Sequence, residues 1–172
     1  MIHFCVPGKP QPAGSKRAFP FRRKNGTLGV AVSDMNPKAK DWKATIALEA
    51  SKHVNGSLLE GPLELKVIFF FERPKGHYGS GKNADKLRES APLFPTTRPD
   101  CTKLVRGLED SLSGIVYADD AQIVRQSIQK HYGPSPRTEV YICQVSDKIT
   151  EPLGCHPTAP NHTLAMKEQE HV

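Results

Sequence analysis

Aspartates at both ends of one short basic stretch are the residues of this sequence best suited to chemistry. Asp100 follows a proline at the start of the stretch, and Asp119 and Asp120 end it. Between them, Lys103 and Arg106 carry positive charge. Hard divalent cations bind oxygen ligands, and cationic side chains stabilise the charge that develops on a reacting phosphate. The stretch is therefore suited to metal-assisted hydrolysis of a phosphodiester bond.

A helix must position these residues, and the pattern between the acidic ends predicts one. Apolar residues recur at helical spacing from Cys101 to Leu112, and Gly114 follows as a typical left-handed helix end. Gly107 lies inside this helix, where glycine costs about 1 kcal/mol relative to alanine. That cost predicts that another backbone segment approaches the helix closely at Gly107.

Each acidic residue also has a purely structural interpretation. Asp100 could cap the helix, and Asp119 and Asp120 could only shape a turn. Arg106 could form a surface ion pair with Asp110. If the helix and the next strand pack side by side, however, Asp100 and Asp120 could converge and hold Mg²⁺. The pattern alone leaves both interpretations open.

Positive charge concentrates near the N-terminus. The chain has 24 Lys and Arg residues against 18 Asp and Glu residues, and residues 9–24 contain no acidic residue. Prolines keep this segment out of a helix, and Phe19 and Phe21 lie among its cations. Such a segment favours contact with a phosphate backbone over a solvated loop. The predicted DNA contacts are Lys9, Lys16, Arg17, Arg22, Arg23 and Lys24, with Lys75 from a later loop.

The length of 172 residues favours one domain, and the elements predict an α+β fold in which two main helices pack on a mixed β-sheet. Residues 1–146 are assigned to this domain and residues 147–172 to a disordered tail. The expected elements are strands at 2–6, 28–33 and 62–72, a helix at 37–53, a long loop at 75–97, the central helix, and an antiparallel hairpin formed by the last two strands.

No stretch approaches the roughly 20 apolar residues of a membrane span, and the N-terminus lacks the order of charges and apolar residues of a secretory signal. We therefore expect a soluble, cytoplasmic protein. No membrane partner and no small-molecule cofactor are expected.

Three segments carry a resemblance to a known family. They are R-P-D-C-T-K-L-V-R at 98–106, E-D-S-L-S-G-I-V-Y at 109–117 and D-D-A-Q-I-V at 119–124. With weaker support from V-P-G-K-P-Q-P-A-G-S-K-R at 6–17, the sequence resembles the RusA family of Holliday junction resolvases, which are crossover junction endodeoxyribonucleases. The resemblance implies a homodimer that uses Mg²⁺, with Mn²⁺ as a substitute, to nick four-way DNA junctions symmetrically in recombination and repair. It also implies a bacterial or phage-infected cell as the place of action.

The resemblance also implies roles for individual residues. Asp100 matches the first catalytic aspartate of the family, and Asp120, with Asp119 beside it, matches the aspartate at the strand entry. Arg106 occupies the place of a catalytic lysine, and Lys103 stands where asparagine is common. Either of these two cations could stabilise the phosphate charge.

One position departs from the family pattern. Thr102 stands where a second helix aspartate is usual. This departure leaves three possibilities open. Thr102 contributes a hydroxyl ligand, Asp119 or another carboxylate replaces the missing aspartate, or the metal affinity and the cleavage rate fall. The departure keeps open a catalytically weak junction-binding protein, and the basic N-terminal segment keeps open a single-strand or RNA-binding module.

Overall fold

The structure is a computed structural model that describes residues 1–14, 16–34 and 36–146, with only the backbone described at 16 and 32–34. The predicted tail at 147–172 lies outside the described residues. The elements are strands β1 (Ile2–Pro7), β2 (Lys16–Arg22), β3 (Leu28–Asp34), β4 (Leu63–Glu72), β5 (Ile123–Gly133) and β6 (Arg137–Gln144), and helices α1 (Pro37–Ser51) and α2 (Cys101–Leu112).

The main sheet has four strands in the order β1-β6-β4-β5 and is mixed, as predicted. β4 pairs antiparallel with β6 and parallel with β5, so that Val67 lies between Val140 and Ile128. The predicted hairpin of β5 and β6 is therefore wrong. As a strand inside the domain, β4 needs partners for its backbone N–H and C=O groups on both edges, and β5 and β6 provide them.

Both helices cover one face of this sheet, which confirms the α+β fold. From α1, Trp42 and Ile46 are buried, and from α2, Leu104, Leu108 and Leu112 are fully buried. Complete burial of each such side chain contributes about 1.5–3 kcal/mol to folding. The apolar stripes predicted from helical spacing therefore form the core. No helix in the described part of the chain combines the length and apolarity that crossing a membrane requires.

β2 and β3 form a separate two-stranded sheet. The strand predicted at 28–33 is confirmed as β3, and the extended basic segment before it forms the second strand, β2. Pro20 is tolerated in β2 because this strand has a partner on one side only. Phe19 and Phe21 are 39% and 45% exposed, so these rings do not dock on the core. The β2–β3 hairpin therefore presents aromatic side chains to solvent.

Candidate active site and nucleic-acid interface

Asp100 occupies the N-cap position of α2, but its side chain makes no capping hydrogen bond. The carboxylate is exposed, and its Oδ2 lies 3.8 Å from Nζ of Lys103, one helical turn further on. Because the helix does not use this carboxylate as a hydrogen-bonded cap, the structure favours an available anionic group at Asp100 over a side-chain cap.

Asp119 and Asp120 lie at the 3₁₀ turn Asp120–Gln122, which leads into β5, and they differ in how their carboxylates are used. Oδ1 of Asp119 accepts a hydrogen bond of 2.8 Å from the backbone N–H of Ala121, and Oε1 of Gln122 accepts one of 3.2 Å from the N–H of Asp119. The Asp120 side chain is exposed and has no hydrogen bond or ion pair with another described residue. Asp119 thus shapes the turn, and Asp120 is available to a ligand.

Glu109 is a candidate residue to which the sequence had assigned no chemical role. It is half-buried, accepts a hydrogen bond from Nε2 of Gln126 on β5, and lines with Asp120 a cavity of about 220 Å³. Burial raises the pKa of Glu109 above its ordinary value, and repulsion from Asp120 and Asp110 raises it further, while the Gln126 hydrogen bond lowers it. Two carboxylates therefore repel each other at one cavity, and a cation there would relieve the repulsion.

A divalent cation fits this pair of carboxylates. Mg²⁺ is commonly bound by one or two carboxylates and completes its shell with water and phosphate oxygens. Among the described residues, however, no group of three or more His, Cys, Asp or Glu side chains is arranged to hold a metal ion. Asp100 lines a different cavity, of about 300 Å³, with Lys9 and Lys103. A metal site shared by Asp100 and Asp120 stays a prediction, as does a role for the exposed Thr102.

The structure distinguishes the two candidate cations of α2. Asp110 forms its ion pair with Lys43 of α1 at 2.6 Å, rather than with Arg106 as one interpretation suggested. Arg106 is exposed and has no ion pair with any residue that the structure describes. By helical spacing, Thr102, Arg106 and Glu109 share one stripe of α2, whereas Lys103 lies beside it. Arg106 is therefore the cation available next to Glu109.

The start of the basic segment is anchored on α2. The N–H of Ala13 donates a hydrogen bond of 2.8 Å to the carbonyl of Lys103, and Nδ2 of Asn36 donates one of 3.0 Å to the carbonyl of Pro12. A Cβ added at Gly107 would lie 3.5 Å from the backbone nitrogen of Ala13. The predicted close approach at Gly107 is confirmed, and it connects the candidate site to the β2–β3 hairpin.

The predicted DNA contacts lie in three places. Lys9 lines the cavity of Asp100, and Lys75 is exposed in a 3₁₀ turn after β4. The guanidinium of Arg17 lies 5.3 Å from the ring centroid of Phe19, so a cation and an aromatic ring are paired on β2. The other cations of the β2–β3 hairpin are the exposed Arg22, Arg23 and Lys24, and Lys16, whose side chain is outside the described part.

A bulky residue at position 107 should displace the anchored segment and weaken DNA binding. We expect Gly107→Leu to lower the affinity for a four-way junction about tenfold, because its side chain requires the space taken by Ala13. Gly107→Ala is the matched control, since its Cβ makes ordinary contacts and alanine favours the helix. Fluorescence anisotropy measures both affinities, and thermal unfolding monitors the fold. Wild-type affinity in a folded Gly107→Leu protein would contradict this prediction.

Comparisons with known proteins agree with this geometry. A family model described as Endodeoxyribonuclease RusA matches residues 7–143, which include both helices, strands β2 to β5 and all but the last residue of β6. The chain is therefore an endodeoxyribonuclease, a hydrolase that acts on DNA. It belongs to the RusA family. It is also 35% identical over 145 residues to the "Uncharacterized protein YqaN" of Bacillus subtilis (strain 168). The aligned residues cover 84% of this chain and 97% of that relative.

Membership of this family has consequences for substrate and cofactor. The family implies a Holliday junction resolvase nuclease in DNA recombination, with branched DNA as its substrate. Nucleases of the family generally depend on a divalent metal. The cavity of Glu109 and Asp120 is a place where this chain could hold one.

Proposed function

We propose that this chain is a Mg²⁺-dependent enzyme that resolves four-way DNA junctions by symmetric nicking, with Mn²⁺ as a substitute metal. The observation that carries the proposal is the cavity lined by Glu109 and Asp120, with the exposed cation Arg106 one helical turn from Glu109. This combination offers metal ligands and a phosphate partner on one surface. Asp100 and Lys103 extend the same surface to the start of α2.

The residues of the chain have distinct proposed tasks. Glu109 and Asp120 hold the metal ion. Asp100, which lines the other cavity with Lys103, is the first catalytic aspartate that the family pattern implies. When bound, a divalent cation supplies Lewis-acid catalysis and a more acidic water. Arg106 donates hydrogen bonds to a non-bridging phosphate oxygen and stabilises the charge that develops there. Asp119 keeps Asp120 in place through the capping contacts of the turn.

The β2–β3 hairpin is proposed to grip the arms of the junction. Its strands and turn carry Arg17, Arg22, Arg23 and Lys24, with no acidic residue before Asp34. This charge complements a DNA backbone, and the exposed Phe19 and Phe21 can pack against unpaired bases near the branch. The segment from Pro12 to Ala13 connects this grip to α2.

A homodimer is the proposed assembly. Two symmetric incisions in one junction require two equivalent sites related by a two-fold axis. We therefore propose that two copies of the chain present their α2 surfaces to opposite strands of the junction. Analytical ultracentrifugation of the protein with and without junction DNA would test this assembly.

Cleavage of a synthetic four-way junction tests the proposed function. With Mg²⁺ or Mn²⁺, we expect nicks at symmetry-related positions in two opposite strands, and none with EDTA. A linear duplex of the same arm sequence is the control and should be cut at least about 100-fold more slowly, because it lacks the branch point at which strands cross between arms. Metal-independent cutting, or equal cutting of the duplex, would refute the proposal. Junction binding without cleavage would favour the weak-binder alternative.

A further inference from the structure

A second cavity lies at the end of β4, separate from the cavity that Glu109 and Asp120 line. Its volume is about 450 Å³, which is within the range of cavities that bind small molecules. Arg73 and Tyr132 form part of its wall, and Lys9, Lys75 and Arg98 lie around it. Nothing in the proposed cleavage chemistry uses this cavity.

The charges around the cavity favour an anionic ligand. Lys9, Lys75 and Arg98 are exposed, and none of them forms an ion pair with another residue that the structure describes. Glu72 is the acidic residue among the described residues of the lining. Cations that converge on a concave surface without partners raise the local concentration of anions. A phosphate group matches this part of the cavity.

The wall of the cavity also contains a preformed stack. The guanidinium carbon of Arg73 lies 4.2 Å from the ring centroid of Tyr132, and Nη1 of Arg73 donates a hydrogen bond of 2.8 Å to the carbonyl of Pro92. The ring of His77 meets Tyr132 edge-on, with centroids 5.5 Å apart. Arg73 is thus held in one orientation. Guanidinium planes and aromatic rings are the groups on which unpaired bases stack.

The cavity adjoins Asp100. It shares Lys9, Arg98 and Pro99 with the 300 Å³ cavity that Asp100 and Lys103 line. Nζ of Lys130 donates hydrogen bonds of 2.9 and 3.0 Å to the carbonyls of Thr97 and Pro99, which fixes this shared wall on β5. A DNA strand whose phosphate lies at Asp100 therefore has a neighbouring nucleotide within reach of the Arg73 stack.

We propose that this cavity binds one unpaired nucleotide of the branched substrate. Lys9, Lys75 and Arg98 bind its phosphate, and its base stacks on Arg73, which Tyr132 supports. The inference rests on the proposed function, because a base pair next to a branch point is stacked less completely than one inside a duplex and opens at a lower cost. The cavity selects the nucleotide next to the strand break and so contributes to where the junction is cut.

Two measurements test the cavity without requiring cleavage. In the first, 2-aminopurine replaces single bases next to the branch of a junction, and its fluorescence is measured with the full-length protein in EDTA. We expect at least about a twofold rise at one position, because the base leaves its stack. In the second, calorimetry compares deoxynucleoside monophosphates with inorganic phosphate. We expect the nucleotides to bind about tenfold more tightly, because only they can stack.

Variants of one loop supply the controls. Lys75→Ala should at least halve the fluorescence rise and weaken nucleotide binding, and Arg73→Met should abolish the preference for nucleotides over phosphate. Lys82→Ala is the matched control, since Lys82 is exposed in another 3₁₀ turn of the same loop and lies outside the cavity lining. Equal binding of phosphate and nucleotides, no fluorescence rise, or equal effects of Lys75→Ala and Lys82→Ala would overturn the inference. Junction cleavage by the wild type would still decide the proposed function separately.

Discussion

Asp120→Asn should lower the rate of junction cleavage by at least about 100-fold while the junction is still bound. The Asp120 carboxylate faces the cavity of Glu109 and has no hydrogen bond or ion pair with another described residue, so its loss removes negative charge without removing a structural contact. Asp100→Asn should have a similar effect on the rate, because the proposed function makes Asp100 a catalytic carboxylate. It should leave the helix intact, because the Asp100 side chain does not cap α2 through a hydrogen bond. Single-turnover cleavage with Mg²⁺ measures the rates, and anisotropy in EDTA measures binding.

Asp119→Asn is the matched control for this experiment. The change removes one neighbouring negative charge, but asparagine can still accept the hydrogen bond from the N–H of Ala121. We expect its cleavage rate to stay within about tenfold of the wild type. The lost charge of Asp119 acts on the site only from a distance, where solvent screens it. Equal losses in Asp119→Asn and Asp120→Asn would contradict this division of roles. Retained cleavage in both Asp100→Asn and Asp120→Asn would refute the metal-site assignment.

Arg106→Ala should reduce the cleavage rate by about 100-fold, which is the usual effect of removing one donor that stabilises a transition state. Arg106 lies on the stripe of Glu109, and it has no ion pair within the described part of the chain, where Asp110 pairs with Lys43. Its guanidinium is therefore free to bind a phosphate. The same single-turnover assay measures the effect, and saturating protein concentrations separate it from weaker binding.

Lys103→Ala tests the other candidate cation. Its ammonium group lies 3.8 Å from Asp100, and it belongs to the neighbouring stripe of α2. We expect a loss of less than about tenfold, mainly in binding, since an exposed ion pair contributes little energy. Arg106→Lys should recover part of the lost rate because it restores the charge without the bidentate geometry. A larger loss in Lys103→Ala than in Arg106→Ala would reverse the assignment.

The helices and most strands could be predicted because their patterns are local. In α1, Ala39, Trp42, Ile46 and Ala50 recur at helical spacing, and they are the buried residues of that helix. The pairing of β5 and β6 could not be predicted in this way. Residues 134–136 are few enough to suggest a hairpin, yet they bridge two strand spacings, about 10 Å, across the end of β4.

The candidate site was only partly readable from the sequence for a similar reason. Asp100, Arg106 and Asp120 belong to short motifs, so residue type and spacing identify them. Glu109 becomes a candidate only because Gln126 of β5 and Asp120 of the preceding turn lie beside it in the folded chain. One signal in the sequence could have identified it. Glu109 lies seven residues after Thr102, so it places a carboxylate on the same helical stripe as the position where the family aspartate is missing.

The position of β5 at the edge of the main sheet gives the candidate site a local stability of its own. Among the described strands, β5 is hydrogen-bonded to β4 alone, and side-chain contacts from Gln126 and Lys130 hold it against α2 and Pro99. An edge strand opens at a lower free energy than the whole domain, so its amide hydrogens exchange with solvent before those of β4. Each opening withdraws Gln126 from Glu109 and releases the turn of Asp120. A bound substrate or metal ion would therefore slow amide exchange in β5, because opening of this strand would have to release the ligand.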